Sequence, residues 1–280
     1  MLSAAGYSPE QIAEMKKTDM QYHLHPVSAL VDMKSWGGPR ILCEAVDPIR
    51  VRDIDGRVIL DAGSGLYCNN LGFQREEIAQ VAYDQMMKLN YVQTYNGFSH
   101  PGVISLSKTI SDMVPVDDAM ICYMLGGADS NDTAYKIARV YWDYMGQPDK
   151  NFIISRNKAY HGVSYGSLSA TQFEGLQDGF EPLLPGFDHI VEPHCYFCPF
   201  GLEKDSCSLK CALALEEKIL ELGPENVAGF TAEPIIGAGG VIVPPAGYYE
   251  KVRAICDRYN ILLIADEVID LFLPVLLPVL

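Results

Sequence analysis

The chain has 280 residues, 49% of them apolar, and carries 36 carboxylates against 21 lysines and arginines, a net charge of -15. That size allows one large core in one or two domains. The acidic balance excludes binding along a nucleic-acid backbone or on an anionic membrane surface.

The first residues, MLSAAGYSPEQIAEMKK, lack the basic and apolar regions of a secretory signal and read as a capped helix. Ser8 is the N-cap candidate, Pro9 suits the first helical position, and Gln11 can close a capping box. A Pro/Gly stretch through Trp36-Gly37-Gly38-Pro39 follows. Arg50–Asp53, the turn Asp55-Gly56 and Arg57–Leu60 predict a hairpin. From Ile78 the spacing turns helical, with Val81, Ala82, Gln85, Met86 and Leu89 on the same face. Ser105–Met113 predicts another helix, stopped near Pro115.

The remainder alternates. Strands are predicted at Ala119–Leu125, Asn151–Ser155, Val227–Ala232 and Ile261–Ala265. Helices are predicted at Asn131–Tyr144, Cys211–Leu222 and Tyr248–Tyr259. This alternation predicts an α/β fold, a mainly parallel sheet with helices on both faces. Ligands in such folds sit beyond the carboxyl ends of the strands.

Four expected strand ends carry candidate chemistry. Gly126-Gly127-Ala128 lets backbone approach a ligand, and Ser130, Asn131 or Asp132 could cap the following helix, making a phosphate cradle. An ordinary capped turn is the alternative. Tyr160-His161-Gly162 could lay an aromatic ring on a planar ligand, or be structural. Glu233 and Asp266-Glu267 place carboxylates at two strand mouths. Acids there also hold magnesium in nucleotide hydrolases, but the required GxxxxGK[ST] loop is absent. A carboxylate facing a pyridine nitrogen would make that ring an electron sink.

Taken in order, these residues resemble the class III (omega-type) pyridoxal-phosphate-dependent aminotransferases. Asp61-Ala62-Gly63-Ser64-Gly65-Leu66-Tyr67 resembles the family's DAxxGLW segment, and Asn70-Leu71-Gly72-Phe73 its NxGH continuation. Gly127 to Ala134, with Lys136, Ala138 and Arg139, resembles the GSEANDTAxKxAR block. Tyr160-His161-Gly162, Ala232-Glu233-Pro234, Pro244-Pro245 and Ala265-Asp266-Glu267-Val268 complete the series. The resemblance implies a fold type I enzyme, a homodimer with pyridoxal 5'-phosphate at the subunit interface. By position, Gly127 and Ala128 would bind the cofactor phosphate, Tyr160 would stack on the pyridine, and Asp266 would pair with its nitrogen. Val268 would pack on the other face, His161 and Glu233 would complete the cofactor site, and Tyr67 would lie near the substrate. Ala128 stands where the family commonly has Ser, at the expense of one hydroxyl contact.

The family's Schiff-base lysine has no counterpart here. After Val268 the chain reads IDLFLPVLLPVL, in place of the glycine-rich turn and lysine-bearing strand. The resulting expectation is residues 1–60 as part of the small domain, 61–270 as a truncated large domain, and 271–280 as an aberrant apolar tail. The chain alone is then expected to be inactive.

Cys195-x2-Cys198-x8-Cys207-x3-Cys211 has spacing compatible with zinc, against the alternative of reduced structural thiols. Cys43, Cys68, Cys122 and Cys256 read as core or near-core. Eight cysteines without a signal segment predict a reducing, cytoplasmic setting. No apolar run reaches the roughly 20 residues that span a bilayer. The expected activity moves an amino group between an amine or amino acid and a 2-oxo acid. A cofactor-binding pseudoenzyme, or an aminomutase or decarboxylase on the same fold, is the alternative.

Overall fold

The computed structural model describes residues 6–204 and 206–269, so the expected tail at 271–280 lies outside the described residues. Contacts divide the chain into two compact units, one ending at Ser99 and one starting at His100.

In the first unit, helix α1 (Pro9–Tyr22) starts as its sequence dictates. Ser8 Oγ accepts the Gln11 N–H at 3.2 Å, and Gln11 Oε1 accepts the Ser8 N–H at 2.8 Å. Both halves of the capping box are made. After the short α2 (Leu30–Ser35), strands β1 (Leu42–Asp47), β2 (Arg50–Asp53) and β3 (Val58–Leu60) form an antiparallel sheet in that order. Gly56 turns the second hairpin at φ +90°, a conformation that favours glycine. Segment α3 (Ser64–Tyr67) is a left-handed turn, with Gly65, Leu66 and Tyr67 all at positive φ. Helix α4 (Glu76–Lys88) realises the expected apolar stripe, yet none of its side chains is buried.

The second unit opens with α5 (Pro101–Met113), four residues longer at its start than predicted because Pro101 fits the first turn. Helix α6 (Gly127–Tyr144) is followed by β4 (Phe152–Arg156), α7 (Tyr165–Ala170) and β5 (Phe187–Ile190). Then come α8 (Lys210–Leu222), β6 (Val227–Ala232), α9 (Tyr248–Tyr259) and β7 (Leu262–Ala265). The sheet order is β5-β4-β6-β7, and every pairing is parallel. Its centre is dry: all six residues of β6 are buried. On one face Leu215, Ile219, Val252 and Ile255 pack over Phe230; on the other Tyr135, Ala138 and Trp142 pack over Ile153 and Ala228. The Trp142 indole N–H donates to the Ala228 carbonyl at 2.7 Å, so its buried polar atom is satisfied.

Several expectations need correction. Ala119–Leu125 is not a strand: no strand among the described residues pairs with it, and Met120 and Leu125 are fully exposed. A strand exists only through its ladder, whatever its propensity. Strand β5, FDHI, escapes sequence reading because four residues with two polar ones carry no period. Cys43, Cys68 and Cys122 are exposed because their apolar runs are uncovered. Cys256 is buried, and burial pushes its thiol pKa up to about 12.

Phe230 is wholly buried at the centre of β6. Phe230→Ala is expected to cost about 3–5 kcal/mol of folding free energy, read from urea unfolding midpoints.

Candidate active site

Parallel strands bring their carboxyl ends to one edge. There β4 leads toward Tyr160-His161-Gly162, β6 into Glu233 and β7 into Asp266. Ala232 pairs with Ala265, and the Asp266 N–H donates to the Ala232 carbonyl at 2.9 Å, which fixes the two acids side by side in the register.

Asp266 is the focus of a buried network. Its Oδ2 accepts the Asn131 side-chain N–H at 2.8 Å and the His161 Nδ1–H at 2.8 Å. Asn131 also donates to the His161 carbonyl at 2.8 Å, so one amide clamps both partners. Burial opposes the charged carboxylate, but the His161 and Asn131 hydrogen bonds outweigh it and hold the Asp266 pKa below its ordinary value. His161 Nε2 is buried with no hydrogen-bond partner among the described residues.

Glu233 is turned to a different task. Its two carboxylate oxygens accept the Tyr160 N–H at 3.1 Å and the Gly237 N–H at 2.9 Å. Burial raises its pKa, offset in part by His161 and by these backbone donors. Arg156, wholly buried, donates to the Glu233 carbonyl and, at 3.1 Å, to the Tyr249 hydroxyl. Glu233 thus pins the loop carrying Tyr160, and Arg156 pins the end of β6.

The glycine loop meets these residues. Helix α6 begins at Gly127, four residues before the prediction, and Gly126 offers no side-chain cap. The expected caps are therefore inside the helix. Ser130 bonds back to the Gly126 carbonyl at 3.0 Å, Asn131 serves Asp266, and Asp132 accepts the Ser164 hydroxyl at 2.8 Å and the Ser167 N–H at 2.6 Å. The leading N–H groups of an uncapped helix make an anion cradle. Gly127 and Ala128 supply two of them. A Cβ on Gly127 would lie 3.1 Å from Val268 Cγ2, so the segment after β7 reaches this loop. A Cβ on Gly162 would meet the Ala128 Cβ at 2.6 Å, which brings the β4 loop there too.

The structure therefore gathers Gly127, Ala128, His161, Glu233, Asp266 and Val268. Tyr160 joins them through its backbone, and the residue is 39% exposed. Tyr67 belongs to the first unit and is half-exposed. Sequence reading missed the roles of Asn131 and Arg156; the Asn131-Asp132 pair in the glycine block was the available signal, and for Arg156 there was none. Cys195, Cys198, Cys207 and Cys211 line one pocket, and no three of their sulfurs lie mutually within 4.8 Å. Burial raises the thiol pKa of Cys211 to about 11.

The model of the family described as aminotransferase class-III matches residues 37–269. The chain belongs to the class III aminotransferases. It is 39% identical over 256 residues to a putrescine–pyruvate aminotransferase of Pseudomonas aeruginosa, covering 91% of this chain and 56% of that one. It is 35% identical to the diaminobutyrate–2-oxoglutarate transaminase of Halomonas elongata, covering 90% and 54%. Among solved structures, an (S)-enantioselective omega-transaminase from Thermomicrobium roseum superposes with a TM-score of 0.86 at 38% identity, covering 91% and 56%. An omega-transaminase from Pseudomonas jessenii in complex with PMP gives 0.85 at 36% identity, covering 90% and 55%. The fold is therefore that of the type I transaminases, and the chain spans about half the length of the curated relatives it matches.

Asp266 has a depressed folded pKa, so its stabilisation is complete above the unfolded value near 4 and is lost as pH falls through the folded value. Asp266→Asn is expected to lower stability at neutral pH and to flatten the acid side of the urea-midpoint profile. Gly162→Ala, placing a Cβ against Ala128 at φ +127°, is expected to cost about 1–3 kcal/mol in thermal or urea unfolding.

Proposed function

We propose that the whole protein is a pyridoxal-phosphate-dependent transaminase that moves an amino group between an amine or amino acid and a 2-oxo acid, and that this chain holds most of its cofactor cradle. The observation that carries the proposal is Asp266, a buried carboxylate held ionised at a strand end beside an uncapped helix N-terminus. The residues fit the cofactor. Gly127 and Ala128 present backbone N–H groups suited to a phosphate. Asp266 supplies the anion that keeps a pyridine nitrogen protonated, and Tyr160 and Val268 have side chains exposed enough to meet a ring from either face. When bound, the protonated cofactor ring would act as the electron sink of the reaction. His161 and Asn131 both bond Asp266 at Oδ2 and so orient its carboxylate, and Glu233 holds the backbone of Tyr160.

The substrate class is supported by the names of the relatives, an amine donor with pyruvate in one and a diamino acid with 2-oxoglutarate in the other. Tyr67 is proposed to face the substrate, and residues 1–60 to belong to the small domain of the whole enzyme. A homodimer is part of the proposal, supported by the exposed apolar side chains Val81 and Met86 on α4 and Ile104 on α5. A cytoplasmic setting is supported by eight free cysteines. Among the described residues no helix is long and apolar enough to cross a membrane.

Pyridoxamine phosphate titrated onto the chain, followed by fluorescence or calorimetry, is expected to bind, and Asp266→Ala to weaken it by about tenfold or more, as loss of a buried charge-assisted bond implies. Equal binding by the variant would overturn the assignment. Amine and amino-acid donors with pyruvate or 2-oxoglutarate, assayed in the full-length protein, test the reaction itself.

A further inference from the structure

The end of α1 carries a second cluster of chemistry in the first unit, independent of the site above. Asp19 lies on the last full turn of the helix, and His23 closes it, its N–H donating to the Asp19 carbonyl at 2.8 Å. The four-residue spacing puts the two side chains on one helix face. His23 itself is extended, at φ -109° and ψ 115°. The chain leaves the helix at this point, and the His25 ring comes to lie beside that of His23.

The side chains converge accordingly. His25 Nε2 lies 2.6 Å from Asp19 Oδ1, and His23 Nδ1 lies 3.2 Å from Asp19 Oδ2. The two imidazole rings sit 4.1 Å apart, centroid to centroid. One ligand atom from each of the three residues lies within 4.8 Å of both others, and among the described residues no other set of histidine, cysteine or acidic groups does so. A metal bonded at the usual 2.0–2.2 Å separates its ligands by about 3–4 Å, so small side-chain movements close this triangle on an ion.

We propose that Asp19, His23 and His25 form a binding site for a divalent transition-metal ion of the zinc, cobalt or nickel class. Two imidazole nitrogens and one carboxylate are the donors such ions prefer over magnesium or calcium, which take oxygen ligands. The ion would neutralise the carboxylate and replace the protons that now lie between it and the rings. Partial exposure, with His23 the most open, leaves an entry path and room for water to complete the coordination. The net charge of -15 raises the local concentration of cations around the chain. The bonds of these histidines to Asp19 without a metal are the state this ion would displace.

The test uses the untagged 280-residue chain, stripped with a chelator under reducing conditions and titrated with Co²⁺ while absorption and equilibrium dialysis are recorded. One Co²⁺ per chain is expected, with d–d bands and no thiolate charge-transfer band. His25→Ala, His23→Gln and Asp19→Asn are each expected to weaken binding by about tenfold or more. His23 is exposed, so its variant leaves folding intact, as far-UV circular dichroism can verify. Failure to bind, binding unchanged in the three variants, or a thiolate band showing that cysteines take the ion would each overturn the proposal.

Discussion

A buried carboxylate held charged is the constraint around which the second unit is organised. Asp266 cannot stay ionised in a dry environment without donors, and the donors come from two distant parts of the chain: Asn131 from α6 and His161 from the loop after β4. Asn131 ties those two parts together as well, through the His161 carbonyl. The glycines serve the same geometry, since Gly162 must pass against Ala128 for His161 to reach its place. One acid thus determines where three segments meet.

Glu233 shows the opposite use of the same chemistry. It stands one strand away in the same register, yet its oxygens are spent on two backbone N–H groups, and its pKa moves up where that of Asp266 moves down. The difference lies in the donors, because both acids are buried. A side-chain imidazole and an amide converging on one oxygen stabilise charge there; two amides on separate oxygens fix a loop. The parallel sheet makes this division possible by delivering both strand mouths to one edge.

Membership of the class III aminotransferases accounts for the sheet, its order and the sequence blocks on its edge. The first unit has a looser logic among the described residues. Its small antiparallel sheet buries Val51 and Asp53, while helix α4 buries nothing. An amphipathic helix with its apolar face in solvent is a surface in want of a partner, and the homodimer proposed above supplies the kind of partner such a face fits.

What the sequence determined by itself were the features set by neighbours along the chain. The capping box at Ser8 and Gln11, the Asp55-Gly56 hairpin, the β6 strand and the α9 helix all stand as their residues predict. The order of motifs was enough to name the family, because seven blocks in register are far more specific than any one. Tertiary structure alone decided the rest. Ala119–Leu125 has the composition of a strand but no ladder beside it among the described residues, and pairing is a property of two segments. Ser130, Asn131 and Asp132 look like caps until the helix begins at Gly127, four residues earlier, and Asn131 is turned inward. Local preference acts through adjacent residues and is written in the sequence; strand pairing and the convergence on Asp266 join segments tens of residues to more than a hundred apart, and only the folded chain brings those together.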